Sequence, residues 1–339
     1  MKAAVLTKFG KIENAFEIKE MPNPSLKDGQ VLIKTEGFGL NYADIMAIQG
    51  DYEDCPPLPT IIGYDCVGRI TETKGDCGEL KVGDRVTAMA RFGGYAELVA
   101  AESSACAVIK EYYETGKAMA FTTQYSTAYY NFNEVVNLHK GDKILIQAAA
   151  GGVGTALVQM AIDRGCEIYG TCGSDEKVAY LKSLGVQHPI NYKKEDFFSI
   201  IKKEIGDYGL DAVFDAIGGA SAKKGYKLLG SGGRLVLYGA ASMTGTNIIG
   251  KLGMVAGFGL YHPVQFMMTS KAIIGVNMLR IGDDRPHVLK RCLANVIQMV
   301  DEQKLSPTVA KVFKISQLSE ALNFLKDRKS MGKISVLWE

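Results

Sequence analysis

The sequence predicts an α/β protein: a doubly wound, six-stranded parallel sheet set into a β-rich region built from both chain ends. Three observations predict it. The chain has 339 residues, more than one hydrophobic core ordinarily organises. From Gly141 to about Arg280, apolar β runs alternate with helical periods, the signature of a parallel sheet with crossover helices. Up to about Ala120, segments are instead short, rich in Val, Ile and Thr, and punctuated by Gly and Pro, which suggests antiparallel pairing.

In the N-terminal region the strand-like runs are 30–35, 67–71 and 85–88, separated by turn signals such as Lys27-Asp28-Gly29 and Val82-Gly83-Asp84. The middle region opens with a buried strand, 143–148, and a Gly-rich turn. A helix over about 155–164 follows, with Leu157, Val158, Ala161 and Ile162 on one face and Gly165 as its stop. Strands are then expected at 167–172, 189–192, 211–215, 234–238 and 271–278, with helices at 175–184, 195–205 and 221–229 between them. After this come a helix at 286–303, a strand at 308–313, a helix at 318–329 and a closing strand at 333–338. That tail is too short to be a domain, so it is expected to return to the N-terminal β region. The resulting division is 1–123 with 281–339 for one domain, and 124–280 for the other.

Composition excludes several classes. Lys and Arg number 39 against 37 Asp and Glu, and a net +2 gives no general pull toward nucleic acid or acidic lipid. The apolar stretch Leu252 to Tyr261 is ten residues, and a spanning helix needs about twenty, so no membrane span is expected. Seven scattered cysteines, an odd number in a chain that does not need disulfides, point to a reducing, cytoplasmic setting. Only four histidines occur. There is no C-x-x-C, no H-x₃₋₅-H, and Cys55, Cys66 and Cys77 are spaced by eleven, which matches no zinc module. No metal is expected.

The strongest chemical signal is Ala148-Ala149-Ala150-Gly151-Gly152-Val153-Gly154, leaving a strand and entering a helix. Against a G-x-G-x-x-G fingerprint, Ala149 replaces the first glycine, while Gly151 and Gly154 stand. Gly151 lets backbone approach a pyrophosphate, Gly154 lets the helix pack on the sheet, and the helix N-terminus offers N–H groups to phosphate. The end of the second strand selects the dinucleotide. An NAD site places an acid there; this chain has Thr171-Cys172-Gly173-Ser174, then Lys177 one turn into the helix, and Tyr192 after the third strand. A cation with hydroxyls suits a 2′-phosphate and favours NADP(H), the competing reading being that Lys177 is only a helix-surface lysine.

These motifs resemble the medium-chain dehydrogenase/reductase superfamily over essentially the whole chain. Within it the likeness is to the zinc-independent quinone oxidoreductases of the zeta-crystallin type, near the vesicle amine transport protein branch. The resemblance rests on Gly39-Leu40-Asn41-Tyr42-Ala43-Asp44, on Pro57 to Gly68, on Gly93-Gly94-Tyr95-Ala96-Glu97, on Asn191 to Phe197 and on Gly332-Lys333. It implies a GroES-like catalytic domain and a Rossmann domain. Tyr64 stands where zinc-using relatives carry a histidine ligand, which agrees with the absence of zinc spacing. By resemblance, Asn41 and Tyr52 line the pocket near the nicotinamide, with Asp44 and Tyr64 close by. Tyr52 is either a proton donor or simple aromatic wall, and Asp44 either a catalytic group or a local cap. Thr127 and Tyr130 resemble contacts to the nicotinamide half, as do Gly239-Ala240 and the backbone of Val276 to Met278. Lys333 resembles a family lysine near the cleft. The strand over 273–279 is expected to be the sheet edge that pairs across a homodimer.

Two functions follow. One is an NADPH-dependent oxidoreductase that acts on quinones or other α,β-unsaturated carbonyls. The other is a nucleotide-binding scaffold with little turnover, in which the apolar stretch Ile248 to Met268 either meets an apolar partner or packs on its own protein.

Overall fold

The computed structural model describes residues 1–242 and 248–338. Part of the segment 242–270 (residues 243–247) therefore lies outside the described residues. The chain splits into two compact units, Met1–Thr127 with Met278–Glu339, and Ala128–Asn277.

The first unit begins with β1 (Lys2–Leu6) and β2 (Phe16–Glu20), a hairpin to which β4 (Thr60–Ile61) adds. Its larger sheet holds β3 (Gln30–Leu40), β5 (Asp65–Lys74), β6 (Arg85–Met89), β7 (Leu98–Glu102) and β8 (Cys106–Val108). Chain order then passes through the second unit, whose strands are β9 (Lys143–Ile146), β10 (Glu167–Cys172), β11 (His188–Asn191), β12 (Leu210–Asp215), β13 (Leu229–Leu237) and β14 (Ala272–Gly275). The last strands, β15 (Val309–Lys314) and β16 (Lys333–Leu337), rejoin the first unit. The large sheet there runs β15-β16-β3-β5-β6-β8, with β7 also paired to β3. The C-terminal tail thus completes the N-terminal sheet, as its length implied.

Register in this sheet decides what meets at one end. Leu40 pairs with Ile334 and Phe38 with Cys66, both antiparallel. The end of β3, the start of β5 and the start of β16 therefore lie side by side, which brings Asn41, Asp65 and Lys333 together. Leu6, Phe38, Ile45, Ile48, Tyr95, Phe313, Leu322 and Val336 form the core beside them.

The second unit is a fully parallel sheet ordered β11-β10-β9-β12-β13-β14. The order reverses at β9, and ligands of such sheets bind beyond the strand ends at that reversal. Leu145, Tyr169, Ile190, Ile201, Leu210, Val213 and Leu235 fill its core. Strands and helices alternate along the chain as the sequence pattern suggested, although the helix Ala220–Leu228 passes into β13 without a turn.

Two strands of this unit differ by more than two residues: β13 begins at Leu229, well before the expected 234, and β14 ends early. The expected strand 271–278, and the dimer edge drawn to Leu279, stop at Gly275; Met278–Asp284 is a helix. Val276 N–H still donates to the Leu237 carbonyl at 2.8 Å, the last rung of the ladder. Beyond it the buried side chains of Met278 and Leu279 belong to helical packing. The β-branched run 273–276 reads as strand, and apolar character alone did not mark where it turned. Among the described residues, no helix is long and apolar enough to cross a membrane.

Candidate functional site

The Gly-rich turn after β9 is built by close packing. Ala148 takes φ +53°, a left-handed conformation that costs an L-residue energy, so the turn is made although the first glycine is missing. Gly151 is the N-cap of the helix Gly152–Arg164. A Cβ at Gly154 would collide with the Ala148 carbonyl oxygen and stand 2.8 Å from the Ala149 backbone, so only glycine fits. The first bond of this helix is Thr155 N–H to the Gly151 carbonyl, 2.8 Å. The N–H groups of Gly152, Val153 and Gly154 thus have no intrahelical acceptor and, beside Ala150 and Gly151, form a site suited to an anion.

The tip of β10 gathers four of the residues singled out in the sequence. Ser174 caps the helix Asp175–Leu184, its Oγ accepting from Lys177 N–H at 3.3 Å. Tyr192 Oη lies 2.7 Å from where a Cβ on Gly173 would stand, so Gly173 makes room for that phenol. Lys177 is half-buried beside Cys172, and its charge opposes the upward push that burial gives this thiol. Asp175, in the first helical turn, is engaged: its carboxylate accepts from Lys194 at 2.5 Å and Asn191 at 2.8 Å, which hold its pKa low.

Further along the same strand ends, Asp215 accepts from Ile217 N–H (2.7 Å), Gly218 N–H (2.6 Å) and Ser221 Oγ (2.8 Å). Burial pushes its carboxyl up against these bonds. Gly239 packs on the Ala216 backbone, and Ala241 N–H reaches the Ala216 carbonyl, so the loop with Gly239 and Ala240 is zipped to the loop after β12. Asp215 was not singled out in the sequence; a strand-ending Asp before Gly218-Gly219 was its signal. Gln147 Nε2 and both amide atoms of Asn131 are buried without partners among the described residues, polar groups aimed at nothing in the protein. Tyr130 lies in the same turn as Asn131, half-buried.

In the first unit, Lys333 is fully buried. Its ammonium donates to Asp65 Oδ2 at 2.6 Å and to Asn41 Oδ1 at 3.0 Å, while Asn41 Nδ2 faces the Asp65 carboxylate at 3.3 Å. Gly39 creates the space: a Cβ there would lie 2.6 Å from Asp65 Oδ1 and against the lysine tip. Asp65, which sequence reasoning quoted within a motif but assigned no role, is thus the counter-ion of Lys333. Asp44 Oδ2 accepts Asn41 N–H at 2.6 Å, opening the helix Tyr42–Gln49. Asp44 is fully buried, and desolvation raises its carboxyl to about 7 against that hydrogen bond; Asp65 raises it further and Lys333 lowers it. Asp44 Oδ1, Tyr64 Oη and Tyr95 Oη are buried without partners among the described residues.

Tyr52 sits against this group. It meets Tyr64 edge-on at 6.0 Å and Phe92 at 6.3 Å, and Tyr64 meets Phe92 at 5.2 Å. Burial pushes the Tyr52 phenol up to about 12, helped by Asp54 and Asp44, and raises Tyr64 higher still. Both phenols therefore keep their protons at neutral pH. Thr127 is buried, its hydroxyl donating to the Thr123 carbonyl; Val276 is half-buried and Met278 opens its helix.

Zinc does not fit this group. Where donors converge, the positive charge is already a lysine ammonium, and the surrounding phenols are protonated. The helical segment 248–269 has two faces: Phe258, Tyr261 and Phe266 pack around the unit's core, with Tyr226 5.1 Å from Tyr261, whereas Leu252, Val255, Leu260, Val264, Met267 and Met268 are exposed.

Residues 27–129 match the family model of the alcohol dehydrogenase GroES-like domain, and residues 152–294 that of the zinc-binding dehydrogenase. The human synaptic vesicle membrane protein VAT-1 homolog is 30% identical over 339 residues, covering 98% of this chain and 86% of its own. Quinone oxidoreductase-like protein 2 of Bos taurus is 26% identical, with 94% and 87% covered. The crystal structure of Escherichia coli quinone oxidoreductase complexed with NADPH superposes with a TM-score of 0.86 at 20% identity, covering 99% of this chain and 100% of that one; it speaks for the fold. With a GroES-like β region, a doubly wound parallel sheet and a relative alike along nearly its full length, the chain belongs to the medium-chain dehydrogenase/reductase superfamily of oxidoreductases.

Proposed function

We propose that the protein is a zinc-independent, NADPH-dependent reductase of quinones or other α,β-unsaturated carbonyls. The observation that carries this reading is the neutral Tyr52 phenol, packed with Tyr64 and Phe92 near a polar group whose positive charge is a lysine ammonium. When bound, NADPH supplies a hydride. The protein's own part is to hold, orient and protonate. The free N–H groups at Gly152 to Gly154 meet the pyrophosphate, and Lys177, Ser174 and Tyr192 take the 2′-phosphate, with Asp175 kept off by Lys194 and Asn191. Thr127, Tyr130, Gly239, Ala240 and the backbone at Val276 to Met278 are assigned to the nicotinamide half. Tyr52 donates a hydrogen bond to the acceptor oxygen where charge develops, and then its proton. In this reading Asn41, fixed by Lys333 and Asp65, and Asp44 with Tyr64 keep that phenol in place.

A structural neighbour is a quinone oxidoreductase complexed with NADPH, and a sequence relative is quinone oxidoreductase-like, which supports the cofactor and substrate class. Seven free cysteines, six of them buried, support a reducing, cytoplasmic setting. A homodimer through the edge strand β14 is part of the proposal.

The test is NADPH consumption with a panel of small quinones and enones, in the wild type and in Lys177→Ala. Turnover with NADPH preferred over NADH is expected. Lys177→Ala should weaken NADPH by about tenfold or more while changing NADH little. Equal loss for both cofactors would remove the 2′-phosphate assignment. Tight NADPH binding with no turnover across the panel would favour the scaffold reading, which the VAT-1 relatives and the exposed apolar face of 248–269 support.

A further inference from the structure

The segment that carries Tyr52 is held in an unusual way. Between Tyr52 and Pro59 the one main-chain hydrogen bond recorded among the described residues is local, Cys55 N–H to the Tyr52 carbonyl at 3.1 Å. Its polar anchor to the rest of the unit is the side chain of Asp54, 13% exposed. Asp54 Oδ1 accepts from Arg280 Nη2 at 2.6 Å and has Arg91 Nη2 at 3.8 Å; Arg91 in turn donates to Asp283. Two arginines and two aspartates thus join three pieces of chain: the Tyr52 segment, the loop before Phe92, and the helix Met278–Asp284. All belong to the first unit.

The Arg91 loop is itself constrained. Phe92 takes φ +66°, a conformation a bulky residue holds only when its surroundings insist, and its ring packs on both Tyr52 and Tyr64. Arg91 therefore anchors at once the wall against which Tyr52 leans and the carboxylate two residues beyond it. A single exposed ion pair contributes little, but four charges alternating in sign around a mostly buried carboxylate act together.

We propose that Arg91, Asp54, Arg280 and Asp283 form a positioning lattice that sets where the Tyr52 phenol stands, and so controls turnover. The proposal rests on Tyr52 being the proton donor of the function above. None of the four touches the reacting atoms; they are positioning residues acting through Tyr52.

The test uses the full chain. Steady-state kinetics with NADPH and one accepted quinone are compared for wild type, Asp54→Asn, Asp54→Glu, Arg280→Gln and Tyr52→Phe, at low and high salt. Hydrogen exchange of the amides of 52–59 is followed in the same proteins without an acceptor. Asp54→Asn and Arg280→Gln are expected to lower kcat by about tenfold to a hundredfold with KM little changed, the scale of a small misplacement of a reacting group. Asp54→Glu should recover much of the loss. Wild-type kcat should fall as salt rises, and that dependence should vanish in Asp54→Asn. Exchange in 52–59 should quicken in both charge-removing variants. Unchanged kcat in Asp54→Asn, when Tyr52→Phe is strongly impaired, would overturn the lattice, as would unchanged exchange. If Tyr52→Phe is itself unimpaired, or no acceptor turns over, the reading of Tyr52 fails instead; quickened exchange in Asp54→Asn then still supports the lattice as the anchor of the segment, and unchanged exchange overturns it.

Discussion

At the scale of single residues, the sharpest constraints are on space and on protons. Gly154→Ala would drive a methyl group into the Ala148 carbonyl, a backbone atom that cannot step aside like a flexible side chain. Overpacking of this kind costs about 1–3 kcal/mol, and the shift would misalign the N–H groups at the helix start. The variant should melt lower and bind NADPH about tenfold more weakly, read by thermal denaturation and fluorescence titration; an unchanged affinity would detach the turn from the nucleotide. Asp44 poses the proton question. Burial lifts its carboxyl to about 7 from the ordinary 3.8, so between those values the folded state keeps a proton that the unfolded chain has released. The folded state then binds more protons, and its stability falls as pH rises through that window. Asn at position 44 has nothing to titrate. The melting temperature of Asp44→Asn relative to wild type should therefore become more favourable from about pH 4 to about pH 8. A difference that stays flat with pH would show Asp44 titrating normally. Asn41, Asp44 and Tyr64 came to notice through the family resemblance of the motifs 39–44 and 57–68, and residue type or spacing alone did not mark them. The pairing of Lys333 with Asp65 was not readable: 268 positions separate them, and only the register of three strands brings them together.

At the scale of elements, the second unit was largely legible. Its strands are short apolar runs closed by Gly or polar turns, so local chemistry and the fold agree along the segment 143–237. The departures have physical causes. The turn after β9 forms with Ala148 in a strained left-handed conformation and with alanine at 149, where the fingerprint has its first glycine, so a pattern search reads a missing residue although the turn is made. The edge strand ends early, at Gly275, because Met278 and Leu279 find better burial in a helix. Charged loops left no pattern at all, and Asp54 with Arg280 lie 226 positions apart. The helix Asp175–Leu184 gives a test at this scale. Ser174 Oγ accepts from Lys177 N–H, so the cap that starts the helix also fixes the turn bearing the lysine. Ser174→Ala should cost about 1 kcal/mol of stability, the usual worth of such a cap. It should also narrow the preference for NADPH over NADH several-fold, since the lysine loses its fixed turn. Stability lost with the preference intact would make Ser174 a cap and nothing more.

At the scale of the whole molecule, the net +2 conceals a segregation of charge. From Ile217 to Asn277 there is no Asp or Glu, while Lys223, Lys224, Lys227, Arg234, Lys251 and Lys271 all fall in that stretch. Lys224 is nonetheless paired with Asp196 at 2.6 Å, and the contact proposed for a second copy is backbone pairing at the sheet edge. β14 is that edge, bonded to β13 on one side. Parity along the strand identifies the free donors. Val276 N–H points to β13, so the N–H of Ile274 and Ala272 do likewise, and those of Ile273 and Gly275 point outward. Gly275 has nothing within 4 Å of an added Cβ, so Gly275→Pro removes an outward donor without disturbing the ladder to β13. Sedimentation should give twice the chain mass for the wild type and a concentration-dependent shift toward monomer for Gly275→Pro, with the melting temperature nearly unchanged. A wild type that sediments as a monomer, or a variant that dimerises as well as its parent, would move the interface away from β14 and leave its outward N–H groups to solvent.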